Sequence, residues 1–180
     1  MLNYLITGGA GFIGSTLANY LGKENNVVVI DDLSMGKKEN LDESKHITFI
    51  EGDVADKNLM EKVMKEYHFD YIFHLAAVAS VADSVERPLE THRVNFDSAL
   101  LLLELVRKYQ SGLKRLVFSS SAAVYGDEPT LPKKEESVIR PLTPYAIDKF
   151  AAEQYVLDYC HLYDVPTSAV RFFNVYGPNQ

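Results

Sequence analysis

The sequence contains a single cysteine, no long apolar run and no cluster of basic residues. Because Cys160 is alone among the 180 residues, the chain forms no internal disulfide, and a reducing, cytoplasmic compartment is expected. No apolar run approaches the ~18 residues of a transmembrane helix, so no membrane partner is expected. The formal net charge of −7, with no Lys/Arg cluster to offset it, argues against a nucleic-acid-binding protein.

Patterns typical of metal sites are also missing. None of the five histidines is paired at metal-ligand spacing; they are His46, His68, His74, His92 and His161. What remains is an ordinary globular composition, with 47% hydrophobic and 24% charged residues. A chain of 180 residues is long enough to bury one core, so we expect a single domain over residues 1–180.

Short apolar runs alternate with amphipathic helical patterns along the whole chain. The predicted strands are Leu2–Thr7, Val27–Ile30, Ile47–Ile50, Tyr71–Leu75, Arg115–Ser119 and Thr167–Phe172. The predicted helices are Phe12–Leu21, Lys57–Tyr67, Val94–Tyr109 and Tyr145–Tyr163. This alternation predicts an α/β fold, a Rossmann-like, doubly wound parallel sheet with helices on both faces. Ligands of such sheets bind beyond the carboxyl ends of the strands.

A glycine-rich turn joins the first predicted strand to the first helix. Its sequence is Thr7-Gly8-Gly9-Ala10-Gly11-Phe12-Ile13-Gly14. The G-x-G-x-x-G spacing lets the backbone turn sharply and approach a pyrophosphate closely. The N-terminus of the helix then offers free N–H groups and a positive dipole end to the phosphates. Glycine-rich turns are common, but the position of this one between a strand and a helix predicts a dinucleotide site.

Acidic residues follow the second and third strands. Asp31 is placed to hydrogen-bond the adenosine ribose 2′-OH and to repel a 2′-phosphate, which favours NAD over NADP. Asp32, its neighbour, fits a solvated turn residue better. Asp53, in the segment Gly52-Asp53-Val54, either meets the adenine edge or only forms a turn.

A tyrosine and a lysine lie at the start of the last predicted helix. Tyr145 and Lys149 are four residues apart, so on a helix they share one face, and Pro144 suits a helix start. Tyrosine is a poor base at an ordinary pKa of about 10, but a neighbouring ammonium group favours the phenolate. The pair can therefore act as a general base for an alcohol proton. Because Tyr-x-x-x-Lys often occurs by chance, its weight comes from following the glycine turn and the serines at 119–121.

Five ordered motifs resemble those of the extended short-chain dehydrogenase/reductases, and most of all the UDP-glucose (UDP-hexose) 4-epimerases. They are Thr7–Gly14, His74–Ala77, Ser119–Gly126, Tyr145–Lys149 and Arg171–Asn174. The resemblance implies that Tyr145 is the catalytic base, that Lys149 holds the nicotinamide ribose and tunes the tyrosine, and that Ser121 bonds a sugar hydroxyl. It implies an NAD-dependent epimerase of UDP-glucose/UDP-galactose, or of N-acetylhexosamines, that works through a 4-keto sugar.

The resemblance also implies which residues bind the two ligands. The UDP-sugar would contact Ser121, Tyr145 and Asn174. The residues expected to bind NAD are Gly8, Gly11, Phe12, Ile13, Gly14, Asp31, Asp32, Leu33, Ser34, Met35, Gly36, Asp53, Val54, Leu75, Ala76, Ala77, Val78, Ala79, Asn95, Ser119, Tyr145, Lys149 and Phe173. For Ser119 and Ser120 a simpler interpretation is that they satisfy backbone groups at a strand end.

Two alanines bear on the choice of reaction. The dehydratases that this chain resembles place an Asp-Glu pair just before the Val-Tyr-Gly of this loop, and here those positions are Ala122 and Ala123. Without that acid the loss of a hydroxyl is disfavoured, which favours an epimerase. The alternatives are another NAD-dependent sugar-nucleotide enzyme (a decarboxylase, reductase or dehydratase) and a catalytically silent NAD-binding regulator. A silent regulator has no need for Ser121, Tyr145 and Lys149 together.

Two expectations concern assembly and extent. The segment Leu100–Val106 is apolar nearly all round, and helix 145–163 is apolar on more than one face. Similar epimerases pair these helices, so a homodimer through helices 94–109 and 145–163 is predicted. In similar proteins the chain continues for well over a hundred residues beyond the last predicted strand. We therefore expect a truncated NAD-binding half that lacks the C-terminal substrate-binding domain and has little activity alone.

Overall fold

Six parallel strands form one sheet in the computed structural model, which describes residues 1–178 and Gln180. The strands are β1 (Asn3–Thr7), β2 (Asn26–Asp31), β3 (Ile47–Glu51), β4 (Tyr71–His74), β5 (Arg115–Ser121) and β6 (Thr167–Phe172). Their order is β3-β2-β1-β4-β5-β6, and every neighbouring pair is parallel. The chain winds from β1 outward to β3 and then outward on the other side to β6. The predicted Rossmann-like α/β fold is confirmed.

Within the described residues, six α-helices connect the strands. They are α1 (Phe12–Leu21), α2 (Lys57–Glu66), α3 (Val81–Glu86), α4 (Pro88–His92), α5 (Ser98–Tyr109) and α6 (Pro144–Tyr163). Side-chain caps fix three of the starts. Asp56 accepts from the N–H of Asn58 and Leu59 at α2, Ser80 accepts from the N–H of Asp83 at α3, and Thr143 accepts from the N–H of Ala146 at α6. The short helices α3 and α4 were not predicted. Among the described residues, no helix has the length and apolar character needed to cross a membrane.

The predicted helix Val94–Tyr109 begins differently from the expectation. Residues Arg93–Asp97 form a π-helical turn, and the α-helical part starts only at Ser98. Such turns often mark functional sites. Here the wide turn presents Asn95 to the loop after β4, where its side-chain oxygen accepts from the N–H of Val78 at 2.8 Å and its amide donates to the C=O of Val78 at 3.0 Å.

The core lies on both faces of the sheet. On one face, side chains such as Leu5, Ile72 and Phe118 pack against apolar residues of α2, α5 and α6. On the other face, Ile6, Val27 and Val29 pack against α1. All four residues of Val27–Ile30 are buried, as expected of a parallel strand covered on both sides. The sheet therefore holds the carboxyl ends of β1 to β5 in a fixed row.

Candidate active site

A cleft of about 690 Å³ opens at the carboxyl ends of the strands, where ligands of such sheets bind. It brings together Ser121 and all the residues predicted to bind NAD except Leu33 and Asn95. Leu33 instead donates its N–H to Asp31, and Asn95 is buried behind the wall of the cleft. Asn174, predicted to contact the substrate, is exposed and does not line the cleft either.

The cleft also has lining residues that the sequence did not point to. Several of them are the charged residues of α3, α4 and the π-helical turn, and the full additional set is Gly52, Ser80, Asp83, Arg87, Glu90, Arg93, Val94, Ser120, Phe172 and Val175. Ser120 and Phe172 lie within two of the five motifs. No motif marks the residues of the two short helices, because these helices carry no apolar period long enough to be recognised. Among the described residues, no group of three His, Cys, Asp or Glu side chains is arranged to hold a metal ion.

The glycine turn has the shape of a phosphate cradle. Gly8 has a φ of 68°, and a Cβ on it would lie 2.7 Å from the backbone nitrogen of Ala76. A Cβ on Gly14 would lie 2.2 Å from the carbonyl oxygen of Gly8, so both positions require glycine. At Gly11 the nearest atom to a Cβ would be 3.4 Å away, which leaves room beside the N-terminus of α1. That N-terminus has no side-chain cap, so its N–H groups are available to an anion.

Two aspartates shape the end of the cleft beside β2 and β3. Asp31 is buried and accepts from the N–H of Ala10 at 3.0 Å and of Leu33 at 2.9 Å. Its carboxylate is therefore locked between the glycine turn and the end of β2. Asp53 accepts from the N–H of Ala55 at 2.8 Å and from the guanidinium of Arg93 at 2.6 Å. That ion pair joins the loop after β3 to the π-helical turn.

Tyr145 and Lys149 lie one turn apart at the start of α6, and both line the cleft. Lys149 is buried, and its amine donates to the carbonyl oxygen of Ser119 at 2.8 Å. Burial lowers the pKa of Lys149 to about 7, against a smaller opposing effect of Asp148. The ring of Phe118 lies 4.9 Å from the amine. This lysine therefore loses its proton more readily than an exposed one.

The three consecutive serines make different contacts. Ser119 donates to the carbonyl oxygen of His74 at 3.0 Å, and Ser120 donates to the carboxylate of Glu153 at 2.5 Å. Ser121 instead accepts from the N–H of Ala123 at 3.1 Å, at the start of a 3-10 turn over Ala122–Tyr125. Because it only accepts in that contact, its own proton is available to a ligand in the cleft.

The chain that forms this cleft matches the model of a known enzyme family. Residues 4–180 match the model of the NAD-dependent epimerase/dehydratase family. The chain belongs to this family.

Relatives in the epimerase/dehydratase family are similar along the whole chain. The UDP-glucose 4-epimerase of Mycolicibacterium smegmatis is 40% identical over 98% of this chain and 57% of its own length. The structure of the UDP-N-acetylglucosamine 4-epimerase of Methanobrevibacter ruminantium, in complex with UDP-N-acetylmuramic acid, has a TM-score of 0.92 at 42% identity, covering 99% of this chain and 57% of its own. The Thermus thermophilus UDP-glucose 4-epimerase complex with NAD has a TM-score of 0.90 at 39% identity, over 99% and 57%. The chain thus spans a little over half the length of these relatives.

This member of the epimerase/dehydratase family also has a buried ion pair that the sequence did not predict. Glu153 on α6 accepts from the guanidinium of Arg171 on β6 at 2.6 Å, and it also accepts a hydrogen bond from the hydroxyl of Ser120. Arg171 donates further to the hydroxyl of Tyr125 and to the carbonyl oxygen of Glu135, each at 2.8 Å. The pair thus fixes the end of β5, where Ser121 lies, and the turn that follows it to α6 and β6.

Proposed function

We propose that this chain is the NAD-binding part of a nucleotide-sugar 4-epimerase that acts on UDP-glucose/UDP-galactose or on UDP-N-acetylhexosamines. The observation that carries the proposal is that Ser121, Tyr145 and Lys149 line the same cleft as the glycine turn and Asp31. The names of the similar proteins support the same reaction, since each of those described is a 4-epimerase.

The cleft fits NAD in shape and chemistry. The space at Gly11 and the uncapped N-terminus of α1 suit the pyrophosphate. The fixed carboxylate of Asp31 suits the hydroxyls of the adenosine ribose, and Lys149 is the proposed partner of the nicotinamide ribose. Bound NAD supplies the hydride acceptor and donor for the sugar carbon.

The protein's own residues handle the proton. Tyr145 takes the proton of the sugar 4-hydroxyl as the ketone forms and returns it when the ketone is reduced on the other face. Ser121 hydrogen-bonds the same oxygen with the proton that its contact with Ala123 leaves available. Lys149, one helical turn from the tyrosine, provides a cation close to the phenolate. Because the pKa of Lys149 is lowered to about 7, its amine can gain and lose a proton near neutral pH.

Two alternatives fit less well. A dehydratase needs an acid near the sugar, but residues 122 and 123, at the start of the 3-10 turn, are alanines. A silent NAD-binding regulator needs neither a buried lysine nor a tyrosine one turn away from it. A decarboxylase or reductase with the same Tyr/Lys pair remains as the second candidate, and the choice of sugar nucleotide in the assay distinguishes it from an epimerase.

The substrate-binding part is proposed to lie in the region that the relatives have and this chain does not match. On the face of the sheet opposite α6, Phe73 and Val117 are half-buried and Val170 is exposed. Parallel sheets are normally covered on both faces, so a further segment over β4 to β6 would complete the fold. We expect the 180-residue chain to bind NAD but to turn over little sugar, because misplacing a substrate lowers its rate steeply.

The test compares binding with turnover. Calorimetry with NAD should show one site on the 180-residue chain. UDP-galactose should be converted to UDP-glucose only by protein that also includes the additional region of the longer relatives. Failure of the chain to bind NAD would contradict the cofactor assignment. Turnover of roughly 1 s⁻¹ or more by the chain alone would contradict the need for a further segment. A free cysteine, Cys160, supports a cytoplasmic location as part of the same proposal.

A homodimer is the proposed assembly. The apolar surface that supports it lies mostly on α6 and α4, where Ile147 and Leu162 are 52% and 68% exposed and Leu89 is 88% exposed. The leucines of α5, in contrast, are buried or half-buried within the chain, so α5 adds less to this surface than its sequence predicts. Light scattering at ~100 µM, well above the dissociation constants of ordinary interfaces, should give the mass of a dimer, and a monomer would contradict the proposal.

A further inference from the structure

A histidine at the end of β4 makes hydrogen bonds on both sides of its ring, although the proposed chemistry does not use it. His74 is buried and does not line the cleft. Its Nδ1 lies 2.8 Å from the hydroxyl oxygen of Thr7 on β1, and its Nε2 lies 3.4 Å from the hydroxyl oxygen of Ser98 at the start of α5. The ring thus joins the central strand β1 to the helix that follows the π-helical turn.

The direction of each hydrogen bond around His74 follows from the backbone N–H groups that donate to Thr7. The hydroxyl oxygen of Thr7 accepts from the N–H of Leu75 at 3.2 Å and of Ala76 at 3.3 Å, so its own proton points to Nδ1 of His74. The ring proton must then be on Nε2, facing Ser98. The hydroxyl of Ser98 donates in turn to the carbonyl oxygen of Val94 at 2.5 Å.

The neutral ring is the form that suits this site. Burial, helped by the positive charge of Lys149, lowers the pKa of His74 to about 3. A protonated ring would point two donors at Thr7 and Ser98, and Thr7 would have to turn its proton away. The chain of bonds is therefore complete only with a neutral ring that carries its proton on Nε2.

This series of hydrogen bonds, from Thr7 through His74 to Ser98, holds the wall of the cleft in place. Leu75 and Ala76 line the cleft, and their N–H groups donate to the hydroxyl oxygen of Thr7. The wall also lies beside the catalytic residues, since the carbonyl oxygen of His74 accepts from Ser119, whose own carbonyl accepts from Lys149. Asp31 and Asp53, at the ends of β2 and β3, belong to the other half of the cleft.

We propose that His74, as the Nε2–H tautomer, is a positioning residue that fixes the backbone of Leu75–Ala76 against the nicotinamide half of bound NAD. This inference rests on the proposed function for the identity of the ligand. It places no contact between His74 and NAD, since the ring acts through Thr7. It predicts that changes at His74 weaken binding of the half of NAD that ADP lacks.

The test uses two variants of nearly equal shape. His74→Leu removes both ring nitrogens, whereas His74→Asn keeps a side-chain oxygen near the position of Nδ1 that can accept from Thr7. Calorimetry should show that His74→Leu binds NAD about 5- to 10-fold more weakly, as expected for the loss of one buried hydrogen bond. Its affinity for ADP should stay within about 2-fold of the unchanged chain, and His74→Asn should recover most of the NAD affinity. Equal loss of NAD and ADP affinity, or equal behaviour of the two variants, would overturn the proposal.

A second measurement on the unchanged chain does not depend on these variants folding. A ¹H–¹⁵N spectrum of the histidine rings should show His74 neutral and protonated on Nε2 from pH 5.5 to 8.5. A ring protonated on Nδ1, or a charged ring, would overturn the inference. If the chain binds ADP but no NAD, the proposed function fails, while the ring spectrum still decides the role of His74 in the bond chain.

Discussion

Replacing the buried lysine of the cleft should stabilise the protein while removing its function. Lys149 is 2% exposed, and no carboxylate bonds its amine among the described residues. Burial lowers its pKa from 10.5 to about 7. Lys149→Met keeps the length and apolar character of the side chain without the amine, so the unliganded variant should be harder to unfold at neutral pH than the unchanged chain.

The size of the effect depends on pH in a defined direction. Between pH 7 and 10.5 the unfolded chain keeps the proton of Lys149 and the folded chain loses it, so the unfolded state binds more protons and stability rises with pH. The lysine therefore lowers the free energy of unfolding by about 4 kcal/mol at pH 7 and about 2 kcal/mol at pH 9. The lost bond to Ser119 offsets roughly 1 kcal/mol of the gain at either pH. The advantage of the methionine variant should thus fall from about 3 to about 1 kcal/mol.

The assay is urea unfolding of both proteins at pH 7, 8 and 9 without cofactor, with the free energies extrapolated to water. The quantity to compare is the difference between the two proteins, because other titrating groups cancel in it. Lys45→Met, at an exposed lysine before β3, is the matched control and should show no pH-dependent difference. If the advantage of Lys149→Met stays constant from pH 7 to 9, or grows, the pKa of the folded lysine is not lowered and the reasoning is refuted.

Three further predictions address single residues. Because the carboxylate of Asp31 is fixed at the end of the cleft proposed for the adenosine ribose, NAD should bind at least 10-fold more tightly than NADP by calorimetry, and equal affinities would contradict that role. In protein that includes the region present in the longer relatives, Tyr145→Phe should keep NAD affinity but reduce the proposed epimerisation by about 10²-fold or more; near-normal turnover would show that Tyr145 is not the base. Arg171→Met should lower the free energy of unfolding by about 3–5 kcal/mol, since Glu153 is left buried and unpaired, and adding Glu153→Met should restore most of it in urea unfolding.

The strands and the glycine turn could be predicted because their signals are local. Each strand is a short apolar run bounded by polar or glycine residues, and all six were placed within two residues or so of their observed bounds. The glycine turn is a motif of eight residues whose geometry follows from its sequence. The Tyr/Lys pair likewise needed only helical spacing, which α6 provides.

The remaining features depend on contacts between distant residues. The segment Ser80–His92 is polar and is interrupted by Pro88, so α3 and α4 have no readable period. The π-helical turn is stabilised where Asn95 bonds Val78, 17 residues earlier. Arg93 meets Asp53 across 40 residues. A sequence pattern records spacing within an element, and it does not record which side chains meet once the sheet is assembled.

The position of β1 at the centre of the sheet also has a consequence for synthesis on the ribosome. β1 is made well before its neighbour β4, since Thr7 and His74 are 67 residues apart. At about 5–20 residues per second, β4 emerges roughly 3–13 s after β1. During that interval one edge of the nascent β1 has no partner, and Ala76, which packs against Gly8, has yet to be made. The dinucleotide cleft is therefore completed only after β4 has been made, and chaperones that bind exposed strand edges have seconds in which to act on the nascent chain.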